Sequence, residues 1–115
     1  MEAVLKRLQS ETPGIEAATL TSVDGLIITS VLSKDLEEDR MAAISASFLS
    51  LGESTTNDLK RSLLEQVIVK GALGYLIISK IGNEAILTVV TNQHAKLGVV
   101  LWEMRNASEE LKKFL

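Results

Sequence analysis

The chain contains no cysteine, one histidine, one proline, one tryptophan, one tyrosine and two phenylalanines in 115 residues. Each scarcity excludes something. Without cysteine there is no disulfide, no thiolate metal site and no thiol nucleophile. One histidine alone cannot assemble the nitrogen ligands of a zinc centre. It also cannot be placed in a Ser-His-Asp arrangement when no Gly-x-Ser-x-Gly elbow is present. Four aromatic residues cannot build a stacking platform for single-stranded nucleic acid, so the core must be aliphatic. There is no basic excess either: 12 basic residues face 15 acidic ones, for a formal charge of −3. The tightest basic pair, Lys112-Lys113, directly follows Glu109-Glu110 and Leu111 and suits a helix end, so no nucleic-acid partner is expected. No segment approaches the roughly 20 apolar residues that cross a bilayer. The first residues lack an apolar run of leader length. The expected setting is cytoplasmic, without a membrane partner. No glycine-rich phosphate loop occurs, and no cofactor is expected.

What is present is an ordered alternation of elements in a length suited to one domain, 1–115, which buries roughly two-thirds of its unfolded surface. Val4, Leu5 and Leu8 recur at helical spacing over 2–11, and Pro13-Gly14 stops that helix. β-rich runs at 15–22 and 26–32 flank Val23-Asp24-Gly25, where Asp-Gly predicts a tight type I′ hairpin turn. Asp35 and Glu38 fit a capping box ahead of a long helix over 38–61. Met41, Ile44, Phe48, Leu51, Thr55 and Leu59 share one side of it, and its other sides are small. Strands follow at 64–70, 74–81 and 85–91, the last two apolar enough to be covered on both faces. A final helix over 94–115 carries the stripe Leu97, Val100, Leu101, Met104, Leu111 and Leu115. Gly98 in its first turns costs roughly 1 kcal/mol, and close packing against the first helix or the sheet is expected to compensate. Trp102 is expected against the first helix.

Three helices over a five-stranded antiparallel sheet leave one face with two helices and the other with one, which cannot cover it fully. The 38–61 helix is therefore the expected site of a second copy. Its Ala42, Ala46 and Leu49 flank would let two helices approach closely. The run Val67, Ile68 and Val69 would offer a sheet edge that needs protection.

Ser22-Val23-Asp24-Gly25-Leu26, the small-residue stretch from Ala42 to Leu51, and Ala95-Lys96-Leu97-Gly98-Val99-Val100-Leu101 occur in this order across the chain. In this it resembles the roadblock family of dynein light chains and their stand-alone prokaryotic relatives. The resemblance implies a profilin-like α/β sandwich of order α-β-β-α-β-β-β-α, with helices 1 and 3 on one sheet face and helix 2 on the other. It also implies a homodimer joined through the central helices and third strands. The implied role is a non-catalytic adaptor or regulator that binds a Ras-like small GTPase or scaffolds a complex. The alternatives are a profilin-like small-ligand sensor module and a purely structural scaffold. Glu38, Asp39, Arg40 and Arg61, which bracket helix 2, are the candidate partner-binding residues. His94 and Asp24 read as turn residues rather than catalytic ones.

Overall fold

The computed structural model describes residues 1–33 and 35–115. Its elements are α1 (Glu2–Glu11), β1 (Ile15–Ser22), β2 (Ile27–Val31), α2 (Glu38–Asp58), β3 (Gln66–Gly71), β4 (Gly74–Ile81), β5 (Ala85–Thr91) and α3 (Leu97–Leu111). A single turn of 3-10 helix, Lys112–Phe114, closes the chain. The five strands form one sheet in the order β2-β1-β5-β4-β3, and every neighbouring pair is antiparallel. β5 is therefore central, although it is the last strand in sequence. This is the expected α-β-β-α-β-β-β-α sandwich.

Register decides which residues meet which helix. Leu20 pairs with Leu87, Ala18 and Ile77 both pair with Val89, and these side chains point to one face. There they join Val4, Leu5 and Leu8 of α1 and Val100, Met104 and Leu111 of α3 in the principal core. Burying each Leu, Ile or Val here is worth about 1.5–3 kcal/mol. The opposite face is leaner. Leu49 of α2, Ile78 and Ile86 form its small core, with Phe48, Leu64, Val67 and Leu76 packed around them. Thr19, Thr21 and Thr88 are also fully buried, and their register places them on this α2 face.

Several local expectations are corrected. Gly25 alone in the first hairpin has positive φ (87°), and its N–H donates to Ser22 O at 3.0 Å. A type I′ turn needs positive φ at Asp24 as well. The loop is instead a three-residue turn closing with a left-handed glycine, matched by a register shift between Leu20 and Thr21. The capping box is absent: α2 starts after Glu37 with no side-chain cap. Glu38 accepts a hydrogen bond from the Ser30 hydroxyl of β2 instead. The expected polar loop at 33–38 includes Lys34, which lies outside the described residues.

α2 ends at Asp58, three residues earlier than expected. Arg61 N–H reaches back to Thr56 O (2.7 Å) and Lys60 N–H to Asn57 O (3.1 Å), with Lys60 left-handed at φ 56°. These paired bonds satisfy the last carbonyls and stop the helix. The seated side of α2 is Met41, Ala42, Ser45 and Leu49. Leu51 and Leu59 are 63% and 62% exposed, so the larger apolar stripe is turned partly outward.

α3 begins at Leu97 rather than 94, because Asn92 Oδ1 takes the His94 N–H (2.9 Å) and holds 92–95 in a turn. Leu115 is 39% exposed and lies outside the buried stripe, whose last member is Leu111. A Cβ built on Gly98 would meet nothing within 4 Å, so the expected tight packing does not exist. Trp102 is 61% exposed and does not pack on α1. The α1-facing side of α3 is taken by Val100, Met104 and Ala107, and an indole two residues from Val100 or Met104 is carried off that side.

Candidate protein-interaction surface

β3 is an edge strand whose one sheet neighbour is β4. Val67 pairs with Ile78, points under α2 and is half-buried in the smaller core. Val69 lies on the same face but is 36% exposed. Ile68 points to the α3 side and is 43% exposed. The unpaired backbone groups of this strand, with exposed β-branched residues beside them, are a template for another strand.

α2 supplies the adjoining surface. Ala42 and Leu49 are 3% and 4% exposed, seated on the chain's own sheet. Ala46 sits over the β1–β2 turn, where its Cβ would lie 3.3 Å from a Cβ placed on Gly25. The small flank therefore seats α2 on its own domain. Facing outward at helical spacing are Ala43, Ser47, Ser50 and Ser54, all exposed, beside half-buried Ile44 and exposed Leu51. Thr55 and Leu59 extend the apolar part of this side toward the β3 edge. Hydrophobic periodicity misses the seated stripe because small Ala42 and polar Ser45 stand between Met41 and Leu49 within it. Ser45 is fully buried through hydrogen bonds that hydrophobic periodicity cannot register.

Glu38, Asp39, Arg40 and Arg61 are all exposed. The first three lie in the first turn of α2, where the acids complement the positive end of the helix dipole. Arg61 follows the far end. At 21 residues α2 separates the two groups by about 30 Å, so they form no joint site. Asp24 is exposed in its turn, and the ring of exposed His94 lies 3.5 Å from the Gln93 side-chain amide. Among the described residues no group of three or more His, Asp or Glu side chains is placed to hold a metal ion. No described helix is long and apolar enough to cross a membrane. The ionisable pair with the clearest perturbation is structural. Arg7 of α1 donates to Glu110 of α3, which lowers the Glu110 pKa and raises that of Arg7.

An outward small-residue helix beside an unpaired strand edge presents surface for association. Residues 1–91 match the family described as Roadblock/LC7 domain. The chain belongs to that family. This places it among small adaptor and regulator proteins. Its relatives include the Uncharacterized protein MJ0714 of Methanocaldococcus jannaschii, 27% identical with 97% of each chain covered. The Roadblock/LC7 domain from Streptomyces avermitilis superposes with a TM-score of 0.92 at 26% identity, covering 99% of this chain and 96% of that one. Myxococcus xanthus MglB shares the fold, with a TM-score of 0.90, 21% identity and coverage of 98% and 92%. Acanthamoeba castellanii profilin IA shares it more distantly, with a TM-score of 0.66 at 13% identity, covering 96% and 94%.

Proposed function

We propose that this Roadblock/LC7 protein is a non-catalytic, cytoplasmic adaptor or regulator, folded as one domain over 1–115. It works as a homodimer that binds a Ras-like small GTPase and modulates its nucleotide state. The observation that carries the reading is the conjunction of exposed Leu51 and Leu59 on α2 with the unpaired β3 edge at Ile68 and Val69. Pairing two β3 edges would extend the sheet across both copies and satisfy the free backbone groups. It would bring the Ile44, Leu51 and Leu59 sides of two α2 helices together and remove apolar surface from water. The paired α2 helices would then display Glu38, Asp39 and Arg40 at one end of each and Arg61 at the other. That is a polar rim suited to steering a globular partner onto a fixed platform. The GTPase assignment rests on family membership and on this platform. An isologous dimer of this kind closes on itself and does not propagate.

The test has two readings. Light scattering on the purified chain should give twice the 12.5 kDa chain mass. Leu51→Glu should give a folded monomer, checked by circular dichroism. Mixing the wild-type dimer with Ras-like GTPases from the same organism, loaded with GDP or a GTP analogue, should give a nucleotide-dependent complex on gel filtration. A wild-type monomer at micromolar concentration defeats the dimer. A dimer that binds none of the GTPases leaves a structural scaffold.

A further inference from the structure

A second surface lies on the other face of the sheet. An open groove of about 1160 Å³ runs between α3 and the segment 61–66, over the ends of β3 and β4. That exceeds the roughly 300–1,000 Å³ of small-molecule pockets. One wall carries Trp102 and Arg105 of α3, and the other carries Arg61 and Leu63. Trp102 is 61% exposed and Leu63 82% exposed, two apolar side chains turned outward on facing walls.

The groove's charge opposes that of the chain. Its ionisable lining comprises Arg61, Lys80, Arg105 and Lys112 against Glu65 and Glu109. Glu109 already pairs with Lys112 at 3.2 Å. Lys80 shares the register of Ile86 and is carried toward the α2 face, which leaves Arg61 and Arg105 as the cations of the groove against Glu65, on a chain whose net charge is −3. None of Arg61, Lys80 and Arg105 makes an ion pair among the described residues. The Arg61 wall is also held in place. The two backbone bonds that end α2 fix Lys60 and Arg61, and Lys60 and Ser62 on either side of Arg61 are both left-handed, at φ 56° and 70°. Non-glycine residues in that region persist where the surrounding structure over-determines them, and such places cluster at binding sites.

We propose that this groove docks an acidic, amphipathic segment of a partner protein, its apolar anchor against Trp102 and Leu63 and its carboxylates toward Arg61 and Arg105. Helix-in-groove recognition uses this combination of apolar anchors and flanking charge, and arginine is the cation that binds carboxylates bidentately and stacks on indole. A second copy is a poorer occupant. The chain's own acidic run, Asp35 to Asp39, leads into α2 after β2, at the sheet edge opposite β3. Docking it here would join copies head to tail, in rings or open chains, and not as the two-fold pair proposed above. The proposal needs neither the dimer nor the GTPase, because both walls come from one chain.

The only tryptophan in the sequence reports on the site. Peptides selected from a random display library on the intact protein, then synthesised, should carry acidic residues around an apolar anchor. They should shift Trp102 emission to the blue and bind more weakly as salt rises. Arg61→Glu and Arg105→Glu, both folded by circular dichroism, should each weaken binding about tenfold. Lys6→Glu, at an exposed position of α1 outside the groove, should leave it unchanged. The proposal is overturned if no peptide is enriched, if enriched peptides are basic or leave Trp102 unmoved, or if the arginine variants bind normally. It is equally overturned if emission shifts with protein concentration alone, which assigns the groove to a second copy. A shift with phosphatidylserine vesicles and with no peptide assigns it to a membrane surface.

Discussion

The hydroxyl of Ser45, on the seated side of α2, lies 2.6 Å from the hydroxyl of Thr88 at the centre of the sheet. Ser45 also donates to Met41 O at 2.7 Å, so its single proton is committed and Thr88 must donate to Ser45. Both residues are fully buried. Ser45→Ala strands the Thr88 hydroxyl beside Thr19 and Thr21, whose hydroxyls have no hydrogen-bond partner among the described residues. It should cost about 1–3 kcal/mol. Thr88→Val leaves Ser45 its bond to Met41 and should cost less. The double variant should be more stable than the sum of the two predicts, a coupling that urea denaturation of all four proteins would measure.

Thr19→Val and Thr21→Val reverse the same argument. Each removes a buried hydroxyl without a hydrogen bond and keeps the β-branched shape that suits a strand. Each should stabilise by about 1 kcal/mol in the same denaturation assay. A loss of stability in both would show that these hydroxyls have bonded partners in solution.

Two glycines should respond in opposite directions to alanine. Gly74 opens β4 at φ 148°, and a Cβ there would fall 1.9 Å from Thr91 O. Gly74→Ala must displace the backbone of the central strand and should cost about 3 kcal/mol or more. Gly98 has open space around the same position, so Gly98→Ala should stabilise α3 by up to about 1 kcal/mol. Melting temperatures of the two variants against wild type decide both.

The Arg7–Glu110 pair links α1 to α3 and gives stability a small acid dependence. Its hydrogen bond to the guanidinium is the main cause of the lowered Glu110 pKa. The folded state thus holds the proton less tightly than the unfolded state. The contribution is full above the ordinary glutamate value and is lost as pH falls through the lowered folded value. Because the pair is solvent-facing, salt should reduce it as well. The melting-temperature gap between wild type and Glu110→Gln should therefore close both in acid and at high salt. A gap that widens in acid contradicts the pairing.

The strands and the helix order were legible because periodicity and turn residues act locally. Ile15 to Ser22, Gly74 to Ile81 and Ala85 to Thr91 begin and end where the sequence places them. Less legible was which of several available partners a side chain takes once the elements pack. Glu38 suited a cap, but Ser30 of β2 reaches it first. Trp102 suited packing on α1, which shares a sheet face with α3. Its orientation was set by the residues around it in α3 that claimed the core. The seated face of α2 was obscured because Ala42 and Ser45, which share it with Met41 and Leu49, contribute little hydrophobicity. The outward position of Leu51 shows the converse: an apolar residue at helical spacing marks a face but does not say whether it meets the chain's own sheet or another molecule.

The proposed regulation of a GTPase carries one mechanistic expectation about arginine. The chain has four arginines: Arg7, Arg40, Arg61 and Arg105. Arg7 is committed to Glu110, and Arg105 lies in the groove on the α3 side of the sheet. Arg40 and Arg61 adjoin the opposite ends of α2, Arg61 where that surface meets the groove, and both are exposed. A supplied arginine finger stabilises transition-state charge and is worth about 10³–10⁵ in rate. It must be held in place to do so, because a loosely held side chain forfeits most of that gain. The Arg40 and Arg61 side chains make no ion pair among the described residues. Any stimulation should then come from repositioning the GTPase's own switch loops. Single-turnover GTP hydrolysis should change less than about tenfold in Arg40→Ala and in Arg61→Ala once complex formation is saturated. A loss of about two orders of magnitude or more in either variant, with binding intact, would identify a supplied finger and overturn the expectation.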